Sequence, residues 1–246
     1  MAQYAQLQHG DSARIFTASG HHSANLNLRN LDGRTRIRRY RQGDREAIRR
    51  ICCETGFLGH PIDAVFRDRD LFADLFTKVY LEHEPEWAFV ADVDGHVAGY
   101  LLGSVRRTFE LLLFHAGFQI TCKMVRNLLT GRYASHPRSK QFIRWLLFRG
   151  MRERPRHPAR AAHLHFDIDK PYRGVGIGRR LWENYEVLLR AAGVKQCYGE
   201  FLSYPSRRPE QVYSRFGFAV FDRRVTTLFD PEIPGTVEVV CVQKEL

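Results

Sequence analysis

Between residues 162 and 193 the sequence runs strand, glycine loop, helix, and that order limits the chain to an α/β scaffold. Ala162-His163-Leu164-His165-Phe166-Asp167-Ile168 alternates apolar and polar side chains, as a strand does. The loop Asp169 to Gly178 follows, with Gly174, Gly176 and Gly178 spaced two apart. A helix is predicted from Gly178 to Ala192, ending at Gly193. A loop turning from strand to helix aims several backbone N–H groups at one spot, where the partial positive charge of the helix start adds to them. Such a loop is an anion site, and its glycines let a phosphate approach the main chain. The plainer reading is a tight strand–helix turn. No Gly-Lys-Ser/Thr follows, so the loop is not a P-loop, and the spacing is not that of the dinucleotide G-x-G-x-x-G motif.

The flanking sequence predicts more alternation of the same kind. Residues 36–40 read as a strand, and Gly43-Asp44 opens a helix with Ala47, Ile48, Ile51 and Cys52 at helical spacing. A second helix is expected from Pro61 through Val79. Trp87 to Asp92 and Val97 to Gly103 read as strands joined by the hairpin dipeptide Asp94-Gly95. Residues 195–202, 218–222 and 237–244 read as strands, and 207–216 as a helix. The expected fold is α/β, a mixed central sheet with helices on both faces. Residues 1–34 are polar and without period and read as a flexible tail, leaving 35–246 as one domain.

Charge is concentrated in one place. Residues 106–160 hold thirteen Lys and Arg against only Glu110 and Glu153, so this segment carries the whole formal charge of +11. The rest of the chain is balanced. Residues 108–158 therefore read as a basic helical insertion between two strands, with apolar stretches at 109–118, 120–129 and 142–151. Its readings are a lid over an acidic substrate, a contact with an anionic membrane surface, or a solvated basic face. No nucleic-acid motif accompanies it, and nucleic acid is not expected. No apolar run of about 18 residues suggests a transmembrane segment. The five cysteines are odd in number and lack a zinc spacing, which fits reduced thiols in a cytoplasmic protein.

Arg173-x-x-Gly176-x-Gly178 resembles the Gln/Arg-x-x-Gly-x-Gly/Ala loop of the GCN5-related N-acetyltransferase superfamily. Gln211-Val212-Tyr213-Ser214-Arg215-Phe216-Gly217-Phe218 resembles that family's downstream Tyr-x-x-x-Gly-Phe segment. The resemblance covers residues 36–105 and 161–246. It implies a mixed, mostly antiparallel central sheet and an acyl-CoA-dependent N-acyltransferase, by default taking acetyl from acetyl-CoA to an unidentified amine acceptor, with no metal. It implies that Arg173, Gly174, Val175, Gly176, Ile177, Gly178 and Arg179 hold the pyrophosphate. Main-chain groups near Ile168 would then pair with the pantetheine arm, and the thioester would lie where strands 161–168 and 195–202 part. The family often has an Asn and then an Ala near the start of its last helix. Ser206 and Pro209 stand there instead, with Ser206 able to cap the helix and touch the CoA arm. The resemblance makes Tyr213 the candidate acid for the leaving thiolate; the rival reading is a core tyrosine on Phe216 and Phe218.

His163, His165 and Asp167 share one strand face, where a central strand is normally apolar. His165 or Asp167 is a candidate base for an ammonium acceptor, and Glu200 on the neighbouring strand a candidate base or substrate clamp. The histidines also fit a structural role. His163-x-His165-x-Asp167 matches the opening of a metallo-hydrolase motif, with Ile168 where its last His belongs. The same strand resembles bacterial relatives of the acetyltransferase-like domain of O-GlcNAcase. A CoA-binding but catalytically silent module, its insertion binding a partner, is the alternative from a different class.

Overall fold

The structure is a computed structural model and describes residues 33–205, 207–230 and 232–246. The predicted tail therefore falls, up to residue 32, outside the described residues. Seven strands form one sheet: β1 Thr35–Arg39, β2 Phe89–Val93, β3 His96–Ser104, β4 Ala162–Ile168, β5 Gln196–Ser203, β6 Ala219–Thr226 and β7 Val237–Glu245. Their spatial order is β1-β2-β3-β4-β5-β7-β6, and every neighbouring pair is antiparallel except β4 with β5. The β2–β3 hairpin turns on Asp94 and Gly95 at φ 51° and 83°, the two positive angles that a type I′ turn requires.

Helices cover both faces. On one face lie α1 Arg45–Thr55 and α2 Arg69–His83, joined by α3 Phe109–Leu129 and α4 Pro137–Phe148 of the insertion. On the other lies α5 Ile177–Ala191, with Leu181, Trp182, Tyr185 and Leu189 buried against Leu101 and Leu164. A last short helix, α6, spans Glu210–Arg215. Close approach of α5 to the sheet depends on Gly103 of β3, where an added Cβ would lie 2.4 Å from the Tyr185 ring.

Three elements differ from the sequence reading. The helix expected from Pro61 breaks: Ile62–Ala64 makes one tight turn and α2 starts only at Arg69. The buried Asp68 carboxylate ends the run by accepting from Leu71 N and from Tyr133 Oη at 2.8 Å and Asn127 Nδ2 at 3.2 Å, so a tertiary contact overrides the periodicity. The three stretches of the insertion become two helices, because the first two run on through Gly117 as α3, which stops at Gly131 with φ 79°. The insertion is no loose flap, since Ile120, Met124, Tyr133, Phe142 and Ile143 join the core, with Phe142 stacked on Phe66 at 4.6 Å. Finally, α6 starts at Glu210 rather than 207, with Pro209 at its cap position, since a residue before proline is pushed out of the helical region.

Candidate active site

β4 and β5 run parallel and pair only at Ala162–Cys197, His163–Tyr198 and Leu164–Gly199. Beyond that point β4 stays bound to β3 as far as Ile168, and β5 stays bound to β7 as far as Ser203. The two strands therefore part inside the sheet and leave a wedge. Backbone groups on its two inner edges have no sheet partner across it, and an extended ligand can take their place. The glycine loop begins where β4 ends. Gly174 and Gly176 have φ 82° and 87°, and an added Cβ at either would meet nothing within 4 Å. Among the described residues, the N–H groups of 174–179 donate to no backbone carbonyl, and no side chain caps α5. That is an open cradle of amides at a helix start, fit for a pyrophosphate.

Side chains reach the wedge from both faces. On the α5 face the Tyr213 ring stacks on Phe201 of β5 at 4.6 Å and lies 5.7 Å from Phe166 of β4, so it spans the two parted strands. Tyr213 is buried in the core and packed on Phe218 at 5.6 Å. Its hydroxyl has no hydrogen-bond partner among the described residues. Burial, and then the charge of Asp167, push its pKa above the usual phenol value, so it stays protonated at neutral pH.

The opposite face carries the polar row. Asp167 faces Tyr100 across the β3–β4 register and accepts its hydroxyl proton at 2.8 Å. His165 Nε2 lies 3.1 Å from Tyr100 Oη and 3.5 Å from Asp167 Oδ2. His165 and Asp167 are both partly exposed, while Tyr100 is fully buried. His163 is different. It is buried, bonded to Tyr80 Oη at 2.7 Å and stacked on Phe109, and burial drives its pKa down to about 3, so it is a neutral packing group. Among the described residues no three His, Cys, Asp or Glu side chains group as metal ligands.

Glu200, the first β5 residue past the last pair, sits in a charge cluster. His157 Nε2 is 3.1 Å from its Oε1, close enough to pair but not aligned as a hydrogen bond, and Arg154 is 3.8 Å from Oε2. His157 Nδ1 contacts Glu110 Oε1 at 3.0 Å, and Glu110 also takes Tyr198 Oη at 2.8 Å and Arg154 at 3.2 Å. Burial alone would lower the His157 pKa, but the two carboxylates raise it to about 9. The His157 contact draws Glu110 down to about 2 against its burial. Burial would raise Glu200, yet His157 and Arg154 hold it below the usual carboxylate range.

No family model matches the chain, and no curated protein does. Solved structures do match. One named SsHAT is 24% identical over 86% of this chain and 98% of its own, at a TM-score of 0.54. A GCN5-related N-acetyltransferase from Kribbella flavida is 15% identical over 87% of this chain and 99% of its own, at 0.52. A putative acetyltransferase from Salmonella typhimurium, solved with its cofactor acetyl-CoA, is 14% identical over 87% and 94%, at 0.50. The chain has the fold of the GCN5-related N-acetyltransferases.

Within the GCN5-related fold, the sequence-predicted loop and the wedge residues come together, while the Arg173 and Arg179 side chains bond to other protein groups. The Arg173 side chain turns back to the Ile168 carbonyl at 2.9 Å and the Gly59 carbonyl at 2.9 Å, bracing the loop from behind. Arg207 bonds the Leu58 carbonyl beside it at 2.8 Å. Arg179 is exposed and pairs with Glu183 at 2.8 Å. Val175, Ile177 and Gly178 lie on the loop and first turn; Ile177 is buried, and an added Cβ at Gly178 would touch Phe166 at 3.4 Å. Ser206 lies outside the described residues, and the position before α6 is Pro209, without a side-chain cap. Sequence reasoning missed Tyr100, Arg154 and His157. Tyr100 was legible as an alternate position on β3; for the other two no local signal exists.

Proposed function

We propose that the protein is an acyl-CoA-dependent N-acyltransferase that moves acetyl from acetyl-CoA to a primary amine by direct attack. The observation that carries this reading is the parting of β4 and β5 immediately before an open cradle of amides. A wedge alone would accept any extended chain, and a cradle alone any anion. Together they fit a ligand with an extended arm and a pyrophosphate at one end. Acetyl-CoA would supply the acyl group activated as a thioester.

The residues have chemistry suited to the remaining steps. A primary ammonium must lose a proton before it attacks, since its pKa lies well above 7. His165, Asp167 and the Tyr100 hydroxyl between them form a half-open relay that takes that proton, directly or through water. Tyr213, protonated and with a free hydroxyl on the other side of the wedge, gives its proton to the departing sulfur. Glu200 is bound to His157 and Arg154, which favours a clamp on the acceptor's charge over a base. Calorimetric titration with acetyl-CoA, followed by an amine panel read by thiol release, tests this function. Absence of binding at high micromolar acetyl-CoA would refute it. Tyr213→Phe loses no hydrogen bond, so it should leave stability unchanged while lowering turnover by about 100-fold. Unchanged turnover would remove the acid role, and acetyl-CoA binding without transfer to any amine would favour the silent module.

A further inference from the structure

The insertion holds an apolar face that the fold does not use. On α3, Phe109, Ile120 and Met124 face the core. Leu111, Phe114 and Phe118 return at three- and four-residue steps on the opposite side, with Leu129 three turns further along it; the four are 70%, 65%, 62% and 81% exposed. Phe148, the last residue of α4, and Met151 just beyond it are 70% and 69% exposed. An amphipathic surface helix has one apolar stripe; this one has two, and the second is uncovered.

Charge says what would cover it. The insertion's two acids are both already paired within the molecule, Glu110 half-exposed and Glu153 largely covered. Glu110 is held by His157, Arg154 and Tyr198, and Glu153 by Trp145 Nε1 at 2.6 Å and Thr227 N at 2.8 Å. Arg126, which borders the α3 stripe, Lys123 on a flank of the same helix, and Arg144 and Arg152 have no acid within ion-pair distance among the described residues. We propose that the outer face of α3, with the end of α4, docks on an anionic lipid bilayer. An apolar stripe bordered by cations is what such an interface accepts: acyl chains take the stripe and headgroups take the cations. No helix among the described residues is long and apolar enough to cross a membrane, so α3 lies in the surface plane. A second copy would bring a like-charged face, and residues 1–32, with Asp11 and Asp32 against Arg14 and Arg29, carry no net charge to neutralise this one. Nucleic acid would leave the stripe unmatched.

Flotation of the full chain with vesicles tests the proposal. Vesicles of phosphatidylcholine mixed with phosphatidylglycerol should carry the protein, while phosphatidylcholine alone should not, and added salt should release it. Lys123→Ala with Arg126→Ala should weaken partitioning by about 30-fold. Phe114→Ser with Phe118→Ser should weaken it by about tenfold or more. All four positions are outside the core, so both double variants should unfold like the parent. No phosphatidylglycerol-dependent flotation overturns the proposal, as does flotation indifferent to both double variants. A dimer in solution that the phenylalanine pair abolishes, without flotation, assigns the face to a second copy. Flotation only after deletion of residues 1–32 assigns it to that segment, and oligonucleotide binding without flotation assigns it to nucleic acid.

Discussion

Replacing His157 by glutamine removes the cation that joins the insertion to the edge of the wedge. The imidazolium stands between Glu110 and Glu200, and its side chain is 14% exposed. Its pKa rises from 6.5 to about 9 in the folded protein, which corresponds to about 3 kcal/mol of preference for the charged form. The sign follows from linkage. A group whose pKa is raised by folding contributes fully below its unfolded value, and the contribution is lost as pH rises through the folded value. Glutamine has no such titration. The stability difference between the parent and His157→Gln should therefore shrink by about 3 kcal/mol between about pH 6 and about pH 10. Urea unfolding of both proteins across that window measures it, and taking the difference cancels groups common to both. A difference that stays constant with pH would refute the charge assignment and leave His157 as a packing residue against the Tyr198 ring, whose centroid lies 4.8 Å from its own.

Two further outcomes follow from the glycines. Gly103→Ala would drive a methyl to 2.4 Å from Tyr185, which is fully buried and tied to the His163 carbonyl at 2.9 Å, so α5 must shift and thermal unfolding should show a loss of about 1–3 kcal/mol or more. An unchanged melting temperature would mean that α5 does not need this close contact. Gly176→Ala meets no atom but must hold φ 87°, a strain of about 1–2 kcal/mol that moves the loop amides, so acetyl-CoA affinity measured by calorimetry should fall by about tenfold. Unchanged affinity would detach the cradle from the ligand.

What the chain determines locally was readable without coordinates. The hairpin at Asp94-Gly95, the strand–loop–helix run into α5, and the alternation of strands and helices follow from backbone preferences and from periods of two and 3.6 residues. The glycine loop was legible for the same reason, since its conformation is a property of its own residues. The errors arose where a distant contact outweighs a local pattern. Asp68 breaks the predicted helix because Tyr133 and Asn127 bind its carboxylate, and α3 runs through Gly117 with Phe109, Ile120 and Met124 of its inner face buried on either side of that glycine.

The alternation of His163, His165 and Asp167 announced a polar face, but not that the first is sealed against Tyr80 and the others share Tyr100. Only the register of β3 against β4 decided that. Likewise, the sequence by itself determined that residues 106–160 are basic. The tertiary structure alone decided that their two acids are paired within the fold, that Arg154 and His157 meet Glu200, and that one face of α3 is left bare. Charge and periodicity are written along the chain. Which groups neutralise or cover one another depends on side chains 47 to 88 residues apart in sequence, brought together by burial.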